Sequence, residues 1–464
     1  MSLPRITLGW LAAAVGGRLV SGDADREAGP IVTDTRTLTA GEVFIALRGE
    51  RFDGHTFVEE ALTRGAGAVV VDPAYVAREG SAVIEVGDTT KALQDLAHAV
   101  RKAAGSRVIA ITGSAGKTTT KETIADLLSA RFRVVKNRGN LNNHIGLPLS
   151  LMQLREQPDV AVMELGMNHS GEIRTLVAIA EPDVRVWTNV GDAHLGFFAS
   201  PDAIADAKAE ILEQADRETL LVYNADDPRV TARASAFAGR RLTFGLSPSA
   251  TVRAEAVDDL GVEGVRARVT TPVGTRTLRS PLLGRGNLSN LLAATAVALD
   301  FEIPLDEIVA RAARLQPADR RGAVRRLGQS LTLIDDSYNS SPAALQRALE
   351  VVASDTGATR RVAVIGEMLE LGDHSIPLHQ QCGVAAAWTG LQLLVTVGGA
   401  PARACAAAAI ADGMAPVSVL YYESSEAAAP AVVAALRPGD LVLVKGSRGI
   451  RTDIIADRIV AEFS

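Results

Sequence analysis

The sequence predicts an α/β fold in three domains, and three observations lead to this prediction. First, 464 residues are too many for a single core, because one domain usually holds roughly 150 residues. Second, a glycine-rich turn lies between a β-branched run and a helical pattern at residues 107–122. Third, short apolar runs alternate with helical patterns around that turn, which is typical of βαβ units in a parallel sheet.

The first predicted domain covers residues 1–85 and is a small α/β domain. Its apolar stretch from Leu8 to Val20 is interrupted by glycines, with only Arg5 before it. A short helix capped near Thr7 fits this stretch better than a signal peptide. Strands are predicted at Ile31–Thr33, Val43–Ala46 and Ala68–Val71.

The second predicted domain covers residues 86–316, begins with a helix from Thr90 to Ala104, and has a mostly parallel sheet. Alternating residues between 251 and 283 predict antiparallel hairpins, and two helices follow, the second of them after Pro304. Its other predicted strands are Val160–Met163, Arg185–Thr188 and Thr219–Tyr223.

The third predicted domain covers residues 317–464 and follows a boundary at Gln316–Gly322. Its strands alternate with helices, which predicts a second α/β domain of dinucleotide-fold type. The predicted strands are Leu331–Ile334, Val362–Ile365, Leu393–Val397, Val417–Tyr421 and Leu441–Val444.

The composition excludes several classes of protein. A net charge of −6 and 4% aromatic residues argue against a nucleic-acid-binding protein, which usually carries a basic surface and stacking aromatics. Cys382 and Cys405 lack the spacing of metal ligands and indicate a reducing compartment. Because no apolar run approaches the length needed to span a bilayer, we predict a cytoplasmic protein.

The segment RVIAITGSAGKTTTKE at residues 107–122 carries the clearest functional signal. Backbone N–H groups gathered in such a turn, with the positive end of the next helix, form a cradle for phosphate oxygens. Lys117 would reach the outer phosphates, and the Thr118 hydroxyl would bind a magnesium ion. The alternative is a chance glycine-rich turn. The predicted nucleoside-triphosphate site consists of Gly113, Ser114, Ala115, Gly116, Lys117, Thr118 and Thr119.

Three further candidates lie at or beyond the ends of predicted strands, where ligands of open parallel sheets bind. Glu164 ends the run VAVMELG and is a natural magnesium ligand, although a solvated surface glutamate is the alternative. His194 is the last residue of the run RVWTNVGDAH. Lys208 lies 14 residues later on a predicted helix, and its alternative is a lysine on an exposed helix face.

Several longer segments resemble the Mur ligases, which are ATP-dependent amide-forming enzymes of peptidoglycan precursor synthesis. They include RGNLNNHIGLPLSL, MELGMNHSGEI, TNVGDAHLGFF, GRGNLSNLLAA and DDSYNSSP, and the resemblance covers essentially the whole chain. Within the family, MNHSGEI, DDSYNSSP, GEMLELGDHS and VKGSRGIR resemble the ligases that add D-alanyl-D-alanine to UDP-N-acetylmuramoyl-tripeptide.

The resemblance implies a phosphate-loop ATPase domain in which a peptide carboxylate attacks ATP and an amine then attacks the acyl phosphate. Lys117 would contact the outer phosphates, and Thr118 with Glu164 would hold a first magnesium ion. His194 matches a ligand of a second magnesium ion. Lys208 matches a lysine that relatives carry as a carbamate formed with carbon dioxide, which turns a cation into an anion able to help bind that metal.

The resemblance also implies roles for residues nearer the substrates. Asn287 matches the residue that reads adenine, and Arg320 or Arg321 matches an arginine that reaches the nucleotide phosphates, the doublet leaving open which one. Asp336 and its DDSYNSSP loop would approach the ATP and the incoming dipeptide. The residues expected to face the peptide substrates are Asn142, Asn143 and Asn339.

The first domain resembles the uridine-nucleotide-binding segment of the two later ligases of that pathway. The segment Asp34-Thr35-Arg36 would bind the UDP part of the substrate, with Arg36 pairing with the diphosphate. Phe44 would contact the sugar or base. The alternative is that Asp34 and Arg36 merely pair with each other across a turn.

Other functions remain open from the sequence. The preceding ligase, which adds a diamino acid to the dipeptide precursor, shares the fold, but the sequence lacks its DNPR-type motif. A folate-type polyglutamate ligase shares the second and third domains but not the Asp34-Thr35-Arg36 segment. A phosphate-loop switch would hydrolyse its nucleotide without a synthetic reaction. For the ligase we expect a monomer that acts on small molecules.

Overall fold

The structure is a computed structural model that describes residues 5–49, 52–75, 81–192 and 195–464. The described residues divide into two compact units. The first consists of the residues up to Ile111 together with Arg131–Arg185 and Glu210–Thr219, and the second consists of Thr112–Ala130, Val186–Ala209 and Leu220–Ser464. No helix of the described chain combines the length and apolarity that crossing a bilayer requires.

The first sheet lies at the N-terminal end of the chain and has the strand order β1-β5-β4-β3-β2. Its strands are β1 (Arg18–Ser21), β2 (Ile31–Val32), β3 (Val43–Ile45), β4 (Ala68–Val71) and β5 (Val83–Glu85), with helices α1 (Leu8–Ala14) and α2 (Val58–Thr63). All pairs are parallel except β1 with β5. The predicted helix is capped by Thr7, whose hydroxyl accepts from the Trp10 N–H, and it covers only Leu8–Ala14 before β1 follows.

The middle of the chain begins with a long helix whose ends are fixed by local chemistry. The Asp88 carboxylate accepts from the Thr90 and Lys91 N–H groups, and Gly105 ends the helix in the left-handed conformation. Its elements up to residue 187 are α3 (Thr89–Ala104), β6 (Arg107–Thr112), α4 (Lys117–Leu128), β7 (Val134–Lys136), α5 (Gly146–Leu151), β8 (Val160–Glu164), α6 (Glu172–Ala180) and β9 (Val184–Trp187). Strand β8 pairs in parallel with β6 and with β7.

The remaining middle elements include the hairpins that the sequence predicts. They are α7 (Pro201–Ala209), β10 (Leu220–Asn224), α8 (Pro228–Ala234), β11 (Arg240–Gly245), β12 (Val252–Asp259), β13 (Val265–Thr271), β14 (Gly274–Ser280), α9 (Gly284–Asp300) and α10 (Leu305–Ala312). Strands β10, β11 and β12 pair in parallel, whereas β13 pairs antiparallel with both β12 and β14. The edge hairpins therefore close an otherwise parallel arrangement.

The third sheet has the order β15-β16-β20-β17-β18-β19 and is parallel except at β15. Its strands are β15 (Ala323–Arg326), β16 (Thr332–Asp336), β17 (Arg360–Gly366), β18 (Leu393–Val397), β19 (Val419–Tyr422) and β20 (Asp440–Lys445). Its helices are α11 (Pro342–Ser354), α12 (Ser375–Trp388), α13 (Ala400–Ala411), α14 (Ser425–Ala435) and α15 (Asp453–Phe463).

Both faces of the third sheet are buried, which explains the continuous apolar runs of its central strands. Ala363 and Ile365 of β17 pack on one side, and Val362 and Val364 pack on the other. The sequence predicts a strand from Val417, but a short 3₁₀ turn with Pro416 at its start occupies 416–418 and delays β19 to Val419.

Candidate active site

The glycine-rich loop connects β6 to α4 in the second unit, as the sequence predicts. Gly113 and Gly116 have φ angles of +151° and +83°, which residues with a side chain rarely adopt. A Cβ atom on Gly116 would lie 2.2 Å from Oδ1 of Asn290, and one on Gly113 would lie 1.9 Å from Oγ1 of Thr188. Both positions therefore require glycine for two independent reasons, backbone conformation and space.

Two residues that follow β9 hold the loop in place. The Asn189 side chain accepts from the Ala115 N–H (2.9 Å) and donates to the Ala115 carbonyl (3.0 Å). The Asn189 carbonyl accepts from the Ser114 N–H, and the Thr188 hydroxyl donates to the Ala115 carbonyl (2.8 Å). The loop backbone is thus fixed before any ligand binds, which lowers the cost of ordering it.

Lys117 and Thr118 open α4 directly after the loop. The Lys117 ammonium donates to the Gly113 carbonyl at 2.7 Å, so the side chain folds back over the loop. Thr118 is 9% exposed and Thr119 is half-buried. N–H groups at a helix N-terminus and an ammonium over the same loop favour the binding of phosphate oxygens.

Lys208 lies on α7 in the same unit, and its side chain is buried. Burial lowers the pKa of its ammonium well below the usual value, and the charge of Lys117 lowers it further. Among the described residues Lys208 has no carboxylate partner. The alternative that Lys208 lies on an exposed helix face is wrong, because the helix turns this position inward.

Glu164 ends β8 in the first unit, where two asparagines hold it. The Asn142 side chain donates to its carboxylate at 2.9 Å. Asn137, which is fully buried, donates to the Glu164 carbonyl (3.1 Å) and accepts from its N–H (3.0 Å). Glu164 is 4% exposed, so the alternative of a solvated surface glutamate is wrong. Asn143 is exposed, and its side-chain oxygen accepts from the Gly146 N–H at the start of α5.

The predicted magnesium ligands are described only in part. Thr118 and Glu164 offer a hydroxyl and a carboxylate, which are the hard oxygen donors that Mg²⁺ prefers, so the chemistry of the donor set fits this metal. His194 lies outside the described residues. No group of three or more His, Cys, Asp or Glu side chains within the described part of the chain is arranged to hold a metal ion.

Two asparagines connect the start of α9 to the loop. The Asn287 amide donates to the Leu283 carbonyl at 2.9 Å, and its oxygen accepts from the Asn290 amide at 3.1 Å. Asn290 in turn leaves no room for a side chain at Gly116. The residue predicted to read adenine therefore belongs to a chain of amides that ends at the phosphate loop.

The two consecutive arginines that precede β15 make different contacts. Arg320 donates to both carboxylate oxygens of Asp457 (3.0 and 2.9 Å) and lies 3.8 Å from Asp335. The hydrogen bond with Asp457 raises the pKa of Arg320. The Arg321 guanidinium instead stacks on the Tyr338 ring, with its Cζ atom 4.2 Å from the ring centre.

The carboxyl ends of β16 and β20 carry an ion pair that the sequence reading missed. Lys445 is 3% exposed, and its ammonium donates to the Asp336 carboxylate (2.7 Å) and the Asn339 carbonyl (3.0 Å). Asp336 is thus fixed by a buried cation, and the loop that carries Asn339 is fixed with it.

The predicted uridine-nucleotide segment lies at the end of β2 in the first unit. Arg36 pairs with Asp34 through three short contacts of 2.6–3.1 Å, and this pairing lowers the Asp34 pKa to about 2. Both side chains are exposed, whereas Thr35 is buried. Phe44 is 1% exposed and packs inside the core of the first sheet, so a ligand could touch its ring only if neighbouring side chains moved.

Comparison with protein-family models matches three successive segments. Residues 30–101 match the catalytic domain of the Mur ligase family, 111–298 the Mur ligase middle domain, and 320–448 the Mur ligase glutamate ligase domain. The UDP-N-acetylmuramoyl-tripeptide--D-alanyl-D-alanine ligase of Bacillus subtilis (strain 168) is 35% identical over 440 residues, which cover 94% of each chain. The chain belongs to the Mur ligase family.

Solved Mur ligase structures agree with this assignment over nearly the whole chain. MurF from Acinetobacter baumannii superposes with a TM-score of 0.89 at 31% identity, covering 99% of this chain and 100% of that one. MurF ligase from Thermotoga maritima in complex with ADP superposes with a TM-score of 0.83 at 28% identity, covering 94% and 97%. The predicted three-domain α/β fold is confirmed.

Four positions in this Mur ligase carry contacts that the sequence reading did not assign. Asn189 forms hydrogen bonds with the phosphate loop, and Asn290 lies against Gly116 of the same loop. Asn137 forms hydrogen bonds with the Glu164 backbone, and Lys445 pairs with Asp336. Asn137, Asn189 and Lys445 lie at or just after the end of a strand, and Asn290 lies about two turns into α9, all inside or beside the quoted motifs. A systematic reading of polar residues that directly follow apolar runs would have found Asn189 and Lys445.

Proposed function

We propose that this chain is an ATP-dependent amide ligase that joins D-alanyl-D-alanine to UDP-N-acetylmuramoyl-tripeptide. The observation that carries the proposal is Lys208, a buried amine without a described carboxylate partner in the same unit as the phosphate-loop lysine. A nucleotide switch does not need a buried amine of this kind. The substrates come from the names of relatives at 35–36% identity over most of the chain.

The first step is phosphoryl transfer from ATP to the tripeptide. A carboxylate oxygen of the peptide attacks the γ-phosphorus, the bond to the β,γ-bridging oxygen breaks, and ADP leaves. Lys117 and the N–H groups at the start of α4 compensate the negative charge that collects on the phosphoryl oxygens. The braced loop holds these donors in position beforehand, so little reorganisation is needed when the charge develops.

The second step forms the amide. The neutral amine of the dipeptide attacks the acyl carbon and a tetrahedral oxyanion forms. The bond to the phosphate oxygen then breaks, and inorganic phosphate leaves with the proton that the amine loses. Arg321 is the member of the doublet that we assign to the nucleotide phosphates, because Arg320 is committed to Asp457 and Asp335. Asn287 would read the adenine, and Asp336 and Asn339 would bring the third sheet to the reacting groups.

Magnesium ions would supply charge neutralisation at the phosphates when bound. Thr118 and Glu164 would hold the first ion, and His194 with Lys208 the second. Only an unprotonated amine adds carbon dioxide to form a carbamate, and burial favours the unprotonated form of Lys208. We therefore propose that Lys208 is carbamylated. Asn142 would then orient Glu164 rather than the peptide.

The exposed end of β2 would bind the UDP part of the substrate. Arg36, with Asp34 and Thr35, would bind the diphosphate of the UDP substrate after releasing its present partner. Asn143 would face the peptide, while its side-chain oxygen accepts from the Gly146 N–H. We place domain boundaries at residues 85 and 316 and propose a cytoplasmic monomer.

The deciding experiment measures ADP release by the purified protein with Mg-ATP and UDP-N-acetylmuramoyl-tripeptide, with and without D-alanyl-D-alanine. Release that needs the dipeptide and yields a UDP-pentapeptide is the expected result. Release that instead needs a diamino acid and the dipeptide precursor would identify the preceding ligase. Release without any peptide substrate would favour the switch.

A further inference from the structure

Tyr338 follows β16 and carries the guanidinium groups of two arginines. The Cζ atom of Arg321 lies 4.2 Å from the ring centre, and that of Arg448, from the loop after β20, lies 5.3 Å from it. Within the described part of the chain, neither guanidinium has a carboxylate at ion-pair distance. Two positive charges therefore share one aromatic ring without an anion.

The other basic side chains at this edge of the third sheet are compensated. Arg320 pairs with Asp457, and the buried Lys445 pairs with Asp336. The excess positive charge is thus confined to Arg321 and Arg448. A guanidinium offers parallel N–H donors that match a carboxylate or phosphate in a bidentate geometry, so the edge is equipped to bind oxyanions.

Arg321 and Arg448 lie in different segments of the chain, and we therefore assign them different ligands. Arg321 belongs to the segment that leads into the third sheet and is the arginine that we assign to the nucleotide. Arg448 and Tyr338 both belong to loops at the carboxyl ends of the third sheet itself, next to Asn339. Ligands of open parallel sheets bind beyond these strand ends.

We infer that Arg448 binds the terminal carboxylate of the acceptor dipeptide, with the Tyr338 ring as the apolar surface against its methyl groups. The inference rests on the proposed function and assigns the residue that selects its acceptor. Arg448 is exposed, so a ligand can reach it without displacing an acidic partner. A neutral carboxamide in place of the carboxylate would lose a charge-assisted bidentate contact.

The test compares D-alanyl-D-alanine with D-alanyl-D-alaninamide as acceptors for the full-length enzyme and for Arg448→Gln. The wild-type enzyme is expected to show a KM for the amide about 10- to 100-fold higher than for the free acid. In Arg448→Gln the two values should approach each other, with the KM for ATP unchanged. Arg448→Lys should recover part of the preference for the free acid, because the positive charge remains while the two parallel N–H donors of the guanidinium are lost.

A matched control is Arg451→Gln, which removes an exposed arginine three residues away that pairs with Glu426. This variant should keep the wild-type preference. An Arg448→Gln enzyme that still prefers the free acid, or whose ATP KM rises instead, would overturn the inference and leave the proposed function standing. Wild-type ADP release that does not depend on the dipeptide would overturn both.

Discussion

At Lys208 the protein buries an amine that water would otherwise keep protonated. Its pKa is lowered first by burial and second by the charge of Lys117, so its neutral form is favoured in the folded chain. In the unfolded chain the same amine regains a pKa near that of a free lysine, about 10.5. Between these two values the unfolded state binds one more proton than the folded state, so the free energy of unfolding rises with pH.

The difference in protonation of Lys208 between the folded and unfolded states should appear in the stability of the Lys208→Met variant. In buffers without carbon dioxide, the variant should be more stable than the wild type near pH 6, and its advantage should shrink toward pH 9. The slope of the difference cannot exceed about 1.4 kcal/mol per pH unit, the value for one proton. Urea unfolding at several pH values measures it. A pH-independent difference would show that Lys208 is not a buried, neutralised amine.

The carbamate itself can be detected directly. With ¹³C-labelled bicarbonate, wild-type protein should show a carbamate ¹³C signal that Lys208→Met lacks. The same variant should lose turnover by about 100-fold or more while it still binds ATP, because the loop and Lys117 are intact. A fully active variant, or a signal that persists in it, would refute the assignment.

The arginine doublet offers a matched pair of substitutions. Arg321→Gln should lower kcat by about 10²-fold, since it removes a donor from the developing phosphate charge. Arg320→Gln should act mainly on stability, because Arg320 pairs with Asp457 and lies near the buried Asp335. Steady-state kinetics and thermal unfolding of both variants separate the two. The reverse pattern would assign the nucleotide to Arg320.

At the scale of the elements, the phosphate loop connects β6 to α4, but residues that follow another strand, β9, hold it in position. Its glycines supply the backbone geometry, but its position comes from Asn189 and Thr188 after β9 and from Asn290 on α9. The Asn189 side chain satisfies both the N–H and the carbonyl of Ala115, as a second strand would. A loop held in this way can bind phosphate without first paying to become ordered.

Asn189→Ala should therefore weaken nucleotide binding without changing the residues that touch the nucleotide. Loss of two hydrogen bonds to one residue corresponds to about 1–3 kcal/mol, or a 5- to 150-fold rise in the dissociation constant for ATP. Calorimetry with a non-hydrolysable analogue measures it. Asn168→Ala serves as a control because the Asn168 side chain has no contact with the loop among the described residues. Unchanged affinity in Asn189→Ala would mean that the loop needs no brace.

At the scale of the whole molecule, one side chain of the first unit forms hydrogen bonds between the middle of the chain and the segment before β2. Arg155, after α5, donates to the carbonyls of Gly29 and Ala28 at 2.7 Å each. Burial lowers the pKa of this guanidinium. No carboxylate among the described residues pairs with Arg155 at this distance, so the two carbonyls are its anchoring partners.

Arg155→Met should loosen the segment before β2. We expect faster amide hydrogen exchange over residues 26–32, by about 10- to 100-fold if both charge-assisted bonds contribute. Arg155→Lys should not rescue it, since an ammonium cannot reproduce two parallel bonds. Lys102→Met removes an exposed ion pair with Glu181 in the same unit and should leave this segment unchanged. Equal exchange in Arg155→Met and the wild type would contradict the anchoring role.

Much of the fold could be predicted because it depends on local patterns. Residues that are adjacent in the sequence determine the apolar runs of β3, β4, β8 and β18 and the caps of α3. Strands β1, β5, β7, β11 and β15 were missed, because each lacks a continuous run of buried apolar residues, and β1, β7 and β15 are in addition edge strands. Their pairing depends on neighbours far along the chain.

The sequence by itself determined the phosphate loop, the order of the three sheets and the candidates Lys117, Thr118 and Glu164, because each belongs to a short contiguous motif. Tertiary structure alone decided that Lys208 is buried and that Arg320 and Arg321 have different partners. It also decided that Asn142 holds Glu164. Burial and pairing come from residues that are distant in sequence, so no local pattern encodes them, and they set the charges with which this site works.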